Sequence, residues 1–134
     1  MEDIKTLKDT LKDIKILFVD DEEDIRNGTG SFLKKFFDNV IICSNGEEGL
    51  QAFKENQDIQ VVISDILMPK MTGTIMVEEI KKINPDIFII FISASRGVEF
   101  KKESNNDIFV KKPLSYNDMK DLLIKINEVV IWVI

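Results

Sequence analysis

Four stretches of the chain carry side chains able to do chemistry, and each follows a short apolar run. Asp20-Asp21-Glu22-Glu23-Asp24 comes after the run at 16–19, Asp65 after that at 61–63, Ser93 after that at 87–92, and Lys111-Lys112-Pro113 after that at 108–110. Asp20 and Asp21 beside Asp65 would form a hard, all-oxygen set suited to Mg²⁺, which keeps several waters and takes few protein ligands. Such a cluster of like charges is costly unless a cation sits among them. Lys112 would supply part of that positive charge, and Ser93 a hydroxyl donor, to a phosphoryl group beside the metal. Phosphoryl transfer depends on positioning and charge neutralisation more than on covalent chemistry, so an aspartate flanked by a divalent metal and a lysine is a sufficient acceptor.

Each of these residues alone has an ordinary explanation. Asp65 reads as a helix N-cap, Ser93 as a turn hydroxyl and Lys112 as a solvated charge. Glu22, Glu23 and Asp24 read as the favourable negative charge of a helix's first turn. The combination is what points to a site. The chain has no histidine, which excludes Ser/His/Asp and Cys/His catalysis and His-ligated metals within it. Its single cysteine, Cys43, excludes an internal disulfide or a cysteine zinc cluster and reads as a small buried apolar residue. Met68, Met71 and Met76 read as packing.

The elements that must position these groups follow from hydrophobic patterning. Continuous apolar runs at 16–19, 40–43, 61–63, 87–92 and 108–110 suit parallel strands buried on both faces. Between them, 25–37, 47–56, 74–83 and 115–128 carry apolar residues at helical spacing. Right-handed crossovers then cover both faces, giving a three-layer doubly wound α/β domain on a five-stranded parallel sheet. In such a sheet, ligands sit beyond the carboxyl ends of the strands, where the four stretches above all lie.

With 134 residues, one domain is expected. Lys and Arg number 18 against 24 Asp and Glu, a net charge of −6, which argues against a phosphate-backbone partner. No apolar run approaches a membrane span and the N-terminus is too charged for a signal peptide, so a cytoplasmic location without membrane insertion is expected. Residues 2–14 read as an extra amphipathic helix, packing on its own domain or forming a short coiled coil with a second copy. Six apolar residues at 129–134 either extend the last helix into the core or meet a partner. The expected division is therefore a helical extension at 1–14, a main domain at 15–128 and an apolar tail at 129–134.

Residues 15–128 resemble the receiver domain of two-component response regulators. The resemblance rests on Ile16-Leu-Phe-Val-Asp-Asp21, Val61-Val-Ile-Ser-Asp65-Ile-Leu-Met-Pro69-Lys-Met-Thr-Gly73, Phe91-Ile-Ser93-Ala94 and Phe109-Val-Lys-Lys112-Pro113. It implies a flavodoxin-like strand order, 2-1-3-4-5, and no turnover enzyme. Asp65 would accept a phosphoryl group from the phosphohistidine of a sensor histidine kinase or phosphotransfer protein. Asp20 and Asp21 would hold Mg²⁺ with the Asp65 carboxylate and the backbone carbonyl of Leu67. Lys112, directly before the proline, matches the family lysine, and Lys112-Pro113 resembles a bond often cis in the family. Ser93 and Phe109 match the switch pair that couples the site to a protein-binding surface, whose downstream target is not encoded here.

Thr72 stands where many receivers carry an acid. Ser93 and Lys112 are only 19 positions apart, with little amphipathic periodicity between them, so a short or irregular fourth helix is expected there. Asn27-Gly-Thr-Gly30 interrupts a helical pattern at about 1 kcal/mol per glycine. Two other classes compete with a phosphorylation switch. A Mg²⁺-dependent phosphatase with an aspartyl nucleophile typically has an acid two positions later, where this chain has Leu67. An interaction module that is never phosphorylated would not need the full acid, Ser93 and Lys112 set. A homodimer through the N-terminal helix or the C-terminal tail is a further expectation.

Overall fold

The computed structural model describes residues 4–94 and 107–131. Along them run α1 (Ile4–Leu11), β1 (Lys15–Val19), α2 (Glu23–Lys34), β2 (Asn39–Cys43), α3 (Gly46–Glu55), β3 (Val61–Asp65), α4 (Gly73–Ile83), β4 (Phe88–Ser93), β5 (Asp107–Lys111) and α5 (Tyr116–Ile126). The irregular helix expected between Ser93 and Lys112 falls outside the described residues. The strands pair in parallel in the order β2-β1-β3-β4-β5, so the flavodoxin-like topology is observed. β1, β3 and β4 are buried almost throughout, which is why they read as unbroken apolar runs, whereas β2 and β5 at the edges are partly exposed.

Alternate residues of each strand face opposite layers. Ile16, Phe18, Val61, Ile63, Phe88 and Ile90 pack beneath α1, α2 and α5. Leu17, Val19, Val62, Ile89 and Phe91 pack beneath α3 and α4, where Phe53, Met76 and Ile80 are buried. Leu7 and Leu11 are fully buried, so α1 packs on its own domain. The final helix does not stop at Glu128: it continues as a π-helical turn, Asn127–Ile131, in contact with α1, with Val129, Val130 and Ile131 packed against the core. Residues 132–134 of the apolar tail lie outside the described residues.

Helix boundaries differ from the periodicity in one instructive place. The pattern predicts a helix through Phe37, but α2 ends at Lys34, and the amides of Phe36 and Phe37 both donate to the Leu33 carbonyl at 3.0 Å. That tightened exit drops both rings into the core. Three helices that start at the carboxyl-end rim are capped by side chains. Asn45 accepts from the Glu48 amide, Thr72 from the Ile75 amide, and Ser115 forms a reciprocal capping box with Asp118. Thr72 thus has a structural role of its own at the position where an acid is usual.

The 66–72 connection is built against Asp65. The Gly73 amide donates to the Ile66 carbonyl at 2.7 Å and the Met71 amide to the Pro69 carbonyl at 2.8 Å, around Lys70 at φ 69°. A side chain at Gly73 would place its Cβ 2.0 Å from the Asp65 carbonyl oxygen. Glycine there lets α4 start directly on the end of β3. Far from the rim, Lys81 on α4 forms a partly buried ion pair with the buried Asp107 at the start of β5, Nζ to Oδ2 2.5 Å.

These contacts predict opposite outcomes for two glycine substitutions measured by urea unfolding. Gly28 in α2 has open space around it, so Gly28→Ala should stabilise the fold by about 0.5–1 kcal/mol. Gly73→Ala should destabilise it, because backbone atoms of Asp65 must shift to admit the methyl group.

Candidate functional site

At the carboxyl rim, the β1 end carries Asp20, fully buried, and Asp21, exposed. The β3 end carries Asp65, buried, and the residue after β5 is Lys112, also buried. Asp65 is registered with Ile92 on β4, so Ser93 stands one residue further out. The Lys112 amide donates to the Ser93 carbonyl at 2.9 Å. The Lys112–Pro113 peptide bond is cis. Asp21, Glu22, Asp65, Leu67, Ser93, Ala94 and Lys112 line one open cavity of about 300 Å³.

The Lys112 ammonium is the hub. Its Nζ lies 2.7 Å from Asp20 Oδ2, 3.0 Å from Asp65 Oδ2 and 3.4 Å from Glu22 Oε1. Burial alone would lower the pKa of the ammonium, but the bonds and charges of Asp20 and Asp65 outweigh it and hold Lys112 well above the ordinary lysine range. Asp65 is pushed up, mainly by burial and further by the Asp20 charge, against the opposing pull of Lys112. Its Oδ1 accepts from the Ile66 amide at 2.8 Å, which fixes the carboxylate plane. Asp20 Oδ1 accepts from the Glu22 amide at 2.9 Å, and the Asp20 carbonyl accepts from Arg26 Nη1 at 2.8 Å. Asp20 Oδ2 is buried and faces the Lys112 ammonium in a close ion pair without a well-angled hydrogen bond.

The rim therefore brings together Asp20, Asp21, Asp65, Ser93 and Lys112, with Leu67 at the cavity edge, its side chain 57% exposed. Phe109 lies on β5 outside this cavity and is 38% exposed. Carboxylate oxygens of Asp20, Asp21, Glu22 and Asp65 lie within 4.8 Å of one another. Glu22 corrects the sequence reading, which assigned it only to the first turn of a helix. It is the residue preceding α2, makes no side-chain cap, and its carboxylate turns to Lys112 instead. Arg26 was also missed, although its position one helical turn beyond Glu22 could have drawn attention to the Asp20 carbonyl.

Residues 16–124 match the sequence profile described as the response regulator receiver domain. A cyclic di-GMP phosphodiesterase of Thermotoga maritima is 34% identical over 103 residues, 75% of this chain; the chain spans only 27% of that relative's length. A response regulator receiver domain protein from Clostridium thermocellum superposes with a TM-score of 0.78 at 33% identity, covering 89% of this chain and 95% of that one. The CheX-CheY-BeF3-Mg complex from Borrelia burgdorferi superposes with a TM-score of 0.68 at 27% identity, covering 90% and 92%. The chain belongs to the response regulator receiver domain family and is a receiver domain of two-component signalling. Among the described residues no helix is long and apolar enough to cross a membrane.

Two buried groups in and beside the site predict the alkaline behaviour. Cys43, whose carbonyl accepts the Asp20 amide, has its thiol pushed up to about 11, first by burial and then by the Glu48 charge. Cys43 and Lys112 both hold protons more tightly folded than unfolded, so the unfolded chain loses them first as pH rises. Stability should be level between pH 7 and about pH 9 and fall steadily above it, read from urea midpoints up to pH 11. Lys112→Met should cost about 3–5 kcal/mol by leaving Asp20 and Asp65 buried without their counter-charge, and added Mg²⁺ should recover part of that loss.

Proposed function

We propose that Asp65 is the phosphoryl acceptor and that Asp20, Asp21, Lys112 and Ser93 serve its phosphorylation. The observation that carries this reading is the Lys112 ammonium bridging Asp20 and Asp65 at 2.7 and 3.0 Å in a buried corner that opens onto a cavity. An Asp65 carboxylate oxygen attacks the phosphorus of a phosphohistidine on a sensor histidine kinase or phosphotransfer protein. The phosphorus–nitrogen bond breaks, the imidazole leaves with the bonding pair, and an acyl phosphate forms on Asp65. Lys112 donates to the incoming phosphoryl oxygens and Ser93 offers its hydroxyl from the next strand.

The donor set fits Mg²⁺: carboxylate oxygens of Asp20, Asp21, Glu22 and Asp65 cluster within 4.8 Å of one another, and the buried Asp20 Oδ2 lacks a hydrogen bond. Asp20, Asp21 and Asp65, with the Leu67 carbonyl, are the residues that would hold it. When bound, the cation supplies charge neutralisation to the phosphoryl oxygens. Phosphorylation replaces the single negative charge of the Asp65 carboxylate with the roughly two of an acyl phosphate beside Lys112 and Ser93, which biases the surface around Phe109 toward a protein partner. This reading places the chain in the cytoplasm with its kinase. It disfavours a phosphatase, since Leu67 offers no acid two positions beyond Asp65.

Incubation with Mg²⁺ and acetyl phosphate should add one phosphoryl group, detected by intact mass, and Asp65→Asn should take none. Equal labelling of the variant would refute the assignment.

A further inference from the structure

Of the three carboxylates on Lys112, two are buried and one is not. Asp20 and Asp65 are fixed by the Glu22 and Ile66 amides, whereas the Glu22 side chain is 59% exposed and makes the longest contact, 3.4 Å. Lys112 has three N–H donors, and three carboxylate oxygens stand around them. A phosphoryl group arriving on Asp65 needs an Lys112 donor, and it raises the negative charge there from the one of a carboxylate to about two, in a cavity that Glu22 lines. Glu22 is the one member of the three able to withdraw, since its backbone amide alone holds Asp20 and its carboxylate reaches solvent.

Resting on the reading of Asp65 as acceptor, we propose that Glu22 is a positioning residue that acts as an acidic gate. In the unphosphorylated protein its carboxylate occupies Lys112, and it must swing out when the phosphoryl group enters. Glu22 therefore favours the unphosphorylated state and slows entry of anionic phosphodonors. The effect lies between that of a surface ion pair and that of a buried one, because one partner is buried and the other is half in water.

Three proteins test this at saturating Mg²⁺: wild type, Glu22→Gln and, as a control of equal net charge, Glu23→Gln. Glu23 is an exposed residue of the first turn of α2. Beryllofluoride, a mimic of the phosphoryl group, is titrated by amide NMR shifts, and labelling by acetyl phosphate is timed by mass. Glu22→Gln should tighten beryllofluoride binding and speed labelling by roughly three- to tenfold at low salt, the gain shrinking as salt is raised. Glu23→Gln should match wild type. Unchanged or weaker binding by Glu22→Gln, or an equal gain in Glu23→Gln, overturns the gate. If wild type itself takes neither mimic nor phosphoryl group, the assignment of Asp65 fails and the gate falls with it. If wild type is labelled on Asp65 while Glu22→Gln behaves identically, only the gate fails.

Discussion

The site depends on one ammonium reaching across three strands. Lys112 leaves the end of β5, passes over the end of β4 and meets carboxylates carried by β3 and β1. Neighbouring strands lie about 4.8 Å apart, so only a long, extended side chain spans that gap. Lys112 is buried, and its charge is met most closely by the two aspartates. Charges buried this deeply are costly alone and tolerable together, which couples the geometry of three strand ends to a single salt bridge. Removing any partner strands the others, and that interdependence keeps the Asp65 carboxylate in one orientation.

Around this bridge the structure divides into a rigid floor and an open rim. The floor is backbone packed on backbone. Gly73 lies against the Asp65 carbonyl, a side chain at Gly46 would collide with the Met71 carbonyl, and the Ile66 and Glu22 amides fix one oxygen each of Asp65 and Asp20. The rim consists of side chains with solvent on one side: Asp21, Glu22 and Leu67. A site that must admit an anionic group into an acidic cavity benefits from that split. On the proposed reading, Asp65 is preorganised below, and the charges that would oppose entry sit where they can move.

Much of this was legible in the sequence because the physics is local in pattern. Strands buried on both faces must be apolar throughout, so β1, β3 and β4 announced themselves, and the polar residues that end them marked the rim. What the sequence hid depends on where long side chains end up. Glu22 was masked by a sufficient explanation, the charge preference of a helix start, and only the reach of Lys112 reveals its second role. The Lys81–Asp107 pair joins residues 26 positions apart, and no periodicity signals it. The early end of α2 goes with a tightened exit at Leu33 that leaves Phe36 and Phe37 both buried, which helical periodicity does not signal. The run from Val129 onward was equally compatible with a buried helix end and with a docking surface; for Val129, Val130 and Ile131, contact with the core decides it.

The same buried charges bear on how a signal leaves the site. β5 is an edge strand in the described sheet, yet it is fastened at both ends: Asp107 to Lys81 on α4, and the residue after Lys111 to Asp20 and Asp65. Phe109 lies midway, on the same face as Asp107 by the two-residue repeat, and is partly exposed. Sliding the whole strand would have to break one of these ion pairs or the other, whereas turning one aromatic side chain breaks neither. If Asp65 is the acceptor as proposed, a charge change at Lys112 would be relayed at least cost by rotation of side chains in the middle of β5, with the backbone of the sheet staying where the core holds it.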